Sequence, residues 1–172
     1  MHRVLNHESN SEPCLGMVDL WSGNTLISAD GELCLLDWED FGLSDPGCEL
    51  GMYVGHLHLC LFLEEAPAQI WTAVQAFVAK LASTYFLAYP GAMSNHFKRR
   101  FLVTHGRELI VGTEMFVRTF DAASKARSVE AGLQCLRAAG SEGGTFDYSV
   151  LKTLALPPEL IEGVMLYLAP AT

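Results

Sequence analysis

An acid and an amide five residues apart, Asp19 and Asn24 in the stretch VDLWSGN, are the first residues here whose types and spacing could do chemistry. A carboxylate so placed can orient or deprotonate an attacking hydroxyl, and a carboxamide oxygen suits a hard cation such as Mg2+. A second acid, Asp37, stands in LLDWED, beyond two short apolar runs. Oxygen donors of these kinds, brought into one cleft, meet the needs of phosphoryl transfer, which asks for positioning and charge neutralisation more than for covalent steps. Asp and Asn are also common turn and cap residues, so the pairing by itself fits an ordinary loop. The order carries more weight: Asp, four residues, Asn, strand, Asp-Gly turn, strand, Asp.

Convergence of the three depends on the elements between them. NTLIS and ELCLLD are β-prone runs on either side of ADG, and Asp-Gly is a strong hairpin-turn signal. Strands are expected at about 24–28 and 32–36, returning Asp37 to the neighbourhood of Asn24. EDFGLSDPG then breaks regularity, and Ser44 or Asp45 ahead of Pro46 starts a helix. Apolar residues recurring at three and four predict helices over about 46–63, 67–89, 94–121, 124–138, 147–154 and 157–168. Pro67, Tyr89-Pro90-Gly91, Gly140 and Pro157-Pro158 punctuate them. The expected architecture is α+β, mostly α, in one domain over 1–172. It comprises a loop at 1–14, a catalytic loop, hairpin and metal motif at 15–51, and a helical body at 52–172.

Composition bounds the function. A chain of 172 residues, half of them apolar, can bury one core. Its formal charge of −9 argues against nucleic acid or an anionic membrane as partner, while a cationic substrate would be welcomed. The run Lys98-Arg99-Arg100 reads as a solvated helix face. Cysteines at 14, 34, 48, 60 and 135 are odd in number and lack paired short spacing, so they read as buried thiols in a reducing compartment. With no leader pattern and no apolar stretch of about 20 residues, the expected location is cytoplasmic.

Residues 15–51 resemble the aminoglycoside phosphotransferase and choline kinase group of protein-kinase-like enzymes, in particular the fungal branch with a Trp in the catalytic loop. The matching residues are Asp19, Leu20, Gly23 and Asn24, then Asp37, Trp38 and Glu39, then Gly42, Asp45 and Pro46, with Glu49 and Leu50 beyond. The resemblance implies that Asp19 is the catalytic base, that Asn24 and Asp37 hold Mg2+ on ATP, and that the chain is the C-terminal lobe of a kinase-like fold. It implies transfer of the ATP γ-phosphate to a small-molecule alcohol. Trp21 and Glu39 are accessory candidates: Trp21 as cleft lining or as a plug under the loop, Glu39 as an extension of the metal motif.

Two departures from the family pattern stand out. Met17 and Val18 occupy the places of a His and a Gly, and only 18 residues precede Asp19, too few for a Gly-rich loop, a strand lysine and a partner Glu. A truncated chain of weak or no activity is therefore expected, in need of an N-terminal lobe or of self-association. The rival reading is an inactive pseudokinase-like scaffold or interaction module. A metal-dependent hydrolase would need a second ligand cluster that the sequence lacks.

Other constellations have plainer readings. His56, His58 and Cys60 would align as metal ligands on a strand, but on a helix successive members rotate by about 200° and cannot converge. Packing is preferred. GSEGGTFDYSVLK at 140–152 lacks the Gly-Lys-Ser/Thr ending of a phosphate loop and reads as a linker. Glu64-Glu65 looks solvated at a helix end. Trp71, Phe77, Tyr85, Phe97, Phe101, Phe116 and Phe120 fall at helical spacing as expected core, and Glu108 and Glu114 are candidate acceptor-site acids.

Overall fold

The computed structural model describes residues 13–62, 67–89, 94–115 and 120–140. In chain order these form β1 (Cys14–Gly16), β2 (Thr25–Ile27), β3 (Leu33–Leu35), β4 (Gly42–Ser44), α1 (Pro46–Leu59), α2 (Ala68–Ala88), α3 (Asn95–Met115) and α4 (Ala122–Ala139). The α+β, mostly helical expectation is met. The expected hairpin forms: β2 and β3 pair antiparallel, with Thr25 opposite Leu35 and Ile27 opposite Leu33. Gly31 supplies the positive φ of the turn, at 88°. A second antiparallel pair encloses the hairpin in sequence, β1 with β4, Cys14 opposite Ser44 and Gly16 opposite Gly42. The loop assigned to 1–14 therefore gives way at Cys14 to a strand, whose partner lies beyond the hairpin.

Asp45 caps α1 as the Asp-Pro signal suggests, its carboxylate accepting from the Gly47 N–H at 2.9 Å. The helix ends at Leu59 in a 3-10 turn, Cys60–Phe62. The expected helix over 94–121 stops short. Phe120 and Asp121 lie outside it because Asp121 opens the next helix, accepting from the N–H and hydroxyl of Ser124 at 2.7 and 3.0 Å. The segments expected at 147–154 and 157–168, Glu64-Glu65 and most of the 140–152 glycine stretch lie outside the described residues.

The helices meet backbone to backbone. A Cβ on Gly51 of α1 would stand 2.7 Å from the Phe101 carbonyl of α3. One on Gly55 would stand 2.9 Å from the Glu108 Cβ. Across the other face of α3, a Cβ on Gly106 would meet the Gly132 carbonyl of α4 at 2.7 Å, and one on Gly132 the Gly106 carbonyl at 2.6 Å. No larger residue fits without moving a helix. Around these contacts Leu50, Val54, Leu59, Phe97, Phe101, Leu102, Leu109 and Cys135 are buried, with Val78 entering from α2. Burial pushes the Cys135 thiol up to about 12.

This packing corrects three sequence expectations. Lys98 is buried rather than part of a solvated face, because the first turn of α3 is pressed against the start of α1; desolvation lowers its pKa. Of the aromatics expected in the core, Phe97, Phe101 and Phe120 are buried, but Phe77 is 44 % exposed and Trp71 and Tyr85 are only partly covered; Phe116 lies outside the described residues. All five thiols are free, yet Cys34 is exposed on β3 and only Cys135 is fully buried. No described helix is long and apolar enough to cross a membrane.

Candidate active site

The loop between β1 and β2 joins the first two candidate residues directly. Asn24 is buried at the end of a 3-10 turn, Ser22–Asn24, and its amide Nδ2 donates to the Asp19 carbonyl at 3.1 Å and to Asp19 Oδ2 at 3.3 Å. With the NH2 end committed to Asp19, the carbonyl oxygen is the end left with ligating chemistry. The Asn24 backbone is fixed on both sides: its N–H donates to the Trp21 carbonyl at 3.1 Å, and its own carbonyl accepts from the Leu36 N–H at 2.8 Å. That last bond extends the β2–β3 ladder by one step and brings the backbone of Asp37, the next residue, beside Asn24.

Asp37 itself adopts φ 64°, ψ 56°, a left-handed conformation that most L-residues avoid and Asp tolerates. It turns the chain into the 3-10 turn Trp38–Asp40. Among the described residues its exposed carboxylate has no hydrogen-bond or ion-pair partner. A non-glycine residue at positive φ with an uncommitted carboxylate keeps Asp37 a candidate site residue. Glu39 is exposed in the same turn. Trp38 is half exposed, its indole N–H donating to the Leu35 carbonyl at 2.7 Å.

A residue outside the candidate set supports the front of the loop. Glu49, in the first turn of α1, accepts from the Met17 N–H at 3.1 Å and the Val18 N–H at 3.0 Å, and the Ser44 hydroxyl donates to the same carboxylate. Gly16 leaves it room, since a Cβ there would lie 2.6 Å from the carboxyl carbon. Val18, held between these bonds, has φ 66°, strained for a β-branched residue. Met17 is buried where the resembled family carries a His, and Glu49 binds the backbone at that point. An acid four residues after the capping Asp45 was the available signal.

Trp21 lies beneath the loop. Its ring meets His56 of α1 at 5.2 Å between centroids, and a Cβ on Gly23 would stand 2.3 Å from it. His56 Nε2 pairs with Glu108 Oε2 of α3 at 3.1 Å, and Arg107 donates to the other carboxylate oxygen, through Nε at 2.7 Å. Burial alone raises the Glu108 carboxyl, but the hydrogen bonds from His56 and Arg107 and the adjacent positive charge outweigh it, and its pKa falls below the usual value. Glu108 is thus committed inside the body, and Glu114 is exposed near Lys125 at 3.6 Å. Neither is joined to the loop acids.

As expected for a helix, His56, His58 and Cys60 do not converge. His58 Nδ1 instead meets His105 Nε2 of α3 at 2.7 Å, fully buried. Burial, then the neighbouring imidazole, holds His58 well below its ordinary value, and burial brings His105 down to about 4 against the upward pull of Glu108.

The donor set fits Mg2+ better than a softer ion. Among the described residues no three of His, Cys, Asp and Glu gather as a cation cage. A carboxamide oxygen and one free carboxylate suit an ion that keeps waters and takes its remaining ligands from phosphates.

The sequence pattern of the phosphotransferase enzyme family, APH, matches residues 4–91, about half of the chain and all of the loop, both strand pairs and α1. The chain belongs to that family. No curated protein and no solved structure matches it.

Proposed function

We propose that this chain is the C-terminal, catalytic-loop lobe of a kinase-like aminoglycoside phosphotransferase, of the branch with a Trp in the loop, and that it directs the γ-phosphate of ATP to the hydroxyl of a small cytoplasmic molecule. The observation that carries the reading is the bond between Asn24 Nδ2 and the Asp19 carboxylate, with Leu36 N–H on the Asn24 carbonyl bringing Asp37 alongside.

Asp19 accepts the acceptor's hydroxyl proton, or orients that hydroxyl for attack. The Asn24 amide holds the Asp19 carboxylate in place while its carbonyl oxygen, with Asp37, would hold Mg2+. The cation, when bound, would neutralise charge on the phosphates. Glu49 keeps the loop fixed from behind by taking two of its N–H groups. The chain's acidic balance favours a cationic acceptor.

A thermal-shift titration with Mg-ATP, beside Asp37→Asn, tests this. A rise in Tm that needs Mg2+ and vanishes in the variant is expected; equal shifts in both proteins would contradict the assignment. A second reading, an inactive scaffold that docks a partner lobe or a second copy, draws on the exposed Leu15 and Leu43 of the β1–β4 pair and on Met17. Absence of any Mg-ATP response would favour it.

A further inference from the structure

Three contacts run in series from the helical body to the candidate pair. Glu108 fixes His56 at 3.1 Å, His56 carries the Trp21 ring at 5.2 Å, and the Trp21 carbonyl accepts from the Asn24 N–H at 3.1 Å and from Thr25 Oγ1 at 3.4 Å. We propose that His56 is a positioning residue for the loop, acting through Trp21: its imidazole ring seats the indole, and the seated indole sets Asn24 against Asp19.

The local geometry explains why the ring stands there. Gly55 lets α3 approach until the Glu108 Cβ lies 2.9 Å from where a Gly55 Cβ would be, so the next residue of α1 lies within reach of the Glu108 carboxylate. With Arg107 on its other oxygen, Glu108 is held, and His56 with it; both side chains are 6 % exposed. On the loop side, Gly23 has no side chain to displace the indole. A shift of the Trp21 ring moves the carbonyl on which Asn24 and Thr25 both depend, and Asn24 Nδ2 carries two bonds to Asp19. The role in catalysis rests on the reading of Asp19 and Asn24 given above; the role in holding the loop does not.

The test uses the full chain with Trp38→Phe and Trp71→Phe, leaving Trp21 as the single indole of three. Two variants separate packing from polarity. His56→Gln keeps an N–H for Glu108 and removes the ring, whereas His56→Phe keeps a ring and removes the N–H. In His56→Gln, Trp21 emission is expected to shift red, and amide exchange at Asn24 and Leu36 to speed up about tenfold, with His56→Phe within about twofold of the parent. Unchanged Trp21 emission and exchange in His56→Gln would overturn the proposal.

If His56→Gln does not fold, Trp21→Ala leaves the His56 and Glu108 pair intact. Faster exchange at Asn24 and Leu36 then upholds the proposal, and exchange at the parent rate overturns it. Mg-ATP thermal shifts on the same proteins keep the two readings apart. Loosening in His56→Gln with no Mg-ATP response in the parent upholds the positioning role while removing the phosphotransfer reading. A parent response retained in a loosened His56→Gln overturns the link between loop position and the site.

Discussion

Gly51 and Gly55 let α1 and α3 touch, and Leu50, Val54, Phe101 and His105 around them are buried; on the strand pairs, Leu15, Ile27, Leu33 and Leu43 are 62–77 % exposed. Both regions are apolar, yet only the first draws its stability from burial. The strand pairs are three residues long and stand on backbone bonds and a few polar anchors, chief among them Glu49. Asp19, Asn24 and Asp37 all lie on the loops that join these strands. Burial builds a body, and the body then fixes a thin, exposed loop at particular points.

The sharpest way to break the contrast is to fill the helix contact. Gly51→Val puts side-chain atoms into the Phe101 carbonyl and should cost about 3 kcal/mol of stability in urea unfolding, the upper range for overpacking. A loss below about 0.5 kcal/mol, the usual range for exposed sites, would mean the close approach is not tight.

Acid should act on the same interface. His58 and His105 are neutral when folded, with pKa values below the ordinary 6.5. Between 6.5 and about 4 the unfolded chain binds the extra protons, so stability falls as pH is lowered through that window and is insensitive to these groups above it. From pH 6.5 to 5 His105 removes on the order of 1–2 kcal/mol, the slope approaching roughly 1.4 kcal/mol per pH unit only once the unfolded imidazole is fully protonated, and His58 acts in the same direction. A flat profile in unfolding experiments across this range, or one unchanged by His105→Gln, would contradict the buried pair.

Smaller effects belong to the loop anchors. Glu49→Gln replaces one acceptor oxygen with a donor facing the Met17 and Val18 N–H groups, and should cost about 1–2 kcal/mol with faster exchange at those two amides. Protection unchanged in the variant would remove Glu49 from the account. Val18→Gly relieves a β-branched residue at φ 66° and should raise stability by about 1 kcal/mol, read in thermal unfolding. A drop would show that the valine side chain contributes more than its backbone costs.

How much was legible in the sequence follows the same division. Asp30-Gly31 between β-prone runs announced the hairpin, and Asp45-Pro46 announced α1, because turn and cap chemistry is local. The Asp19, Asn24 and Asp37 set could be named from residue types and order, and the described geometry joins two of them directly and the third through the backbone. What stayed hidden depends on distant partners. Cys14–Gly16 has no strand character until β4 is beside it, and Lys98 looks solvated until the end of α3 is pressed on α1. Glycine is a poor helix former, though here Gly51, Gly106 and Gly132 let helix backbones meet where a Cβ would stand 2.6–2.7 Å from a facing carbonyl. The pairing of His56 with Glu108 carries no spacing signal, since it joins two different helices.

The central claim is that Asn24 and Asp37 act on one metal-nucleotide site, and a double-mutant cycle tests it most directly. Mg-ATP affinity is measured for the parent, Asn24→Ala, Asp37→Asn and the double variant. The account predicts Mg2+-dependent binding in the parent, a loss of about tenfold or more in each single variant, and little further loss in the double, the non-additivity of residues sharing one ligand. Independent, additive losses, or parent binding indifferent to Mg2+, would contradict it.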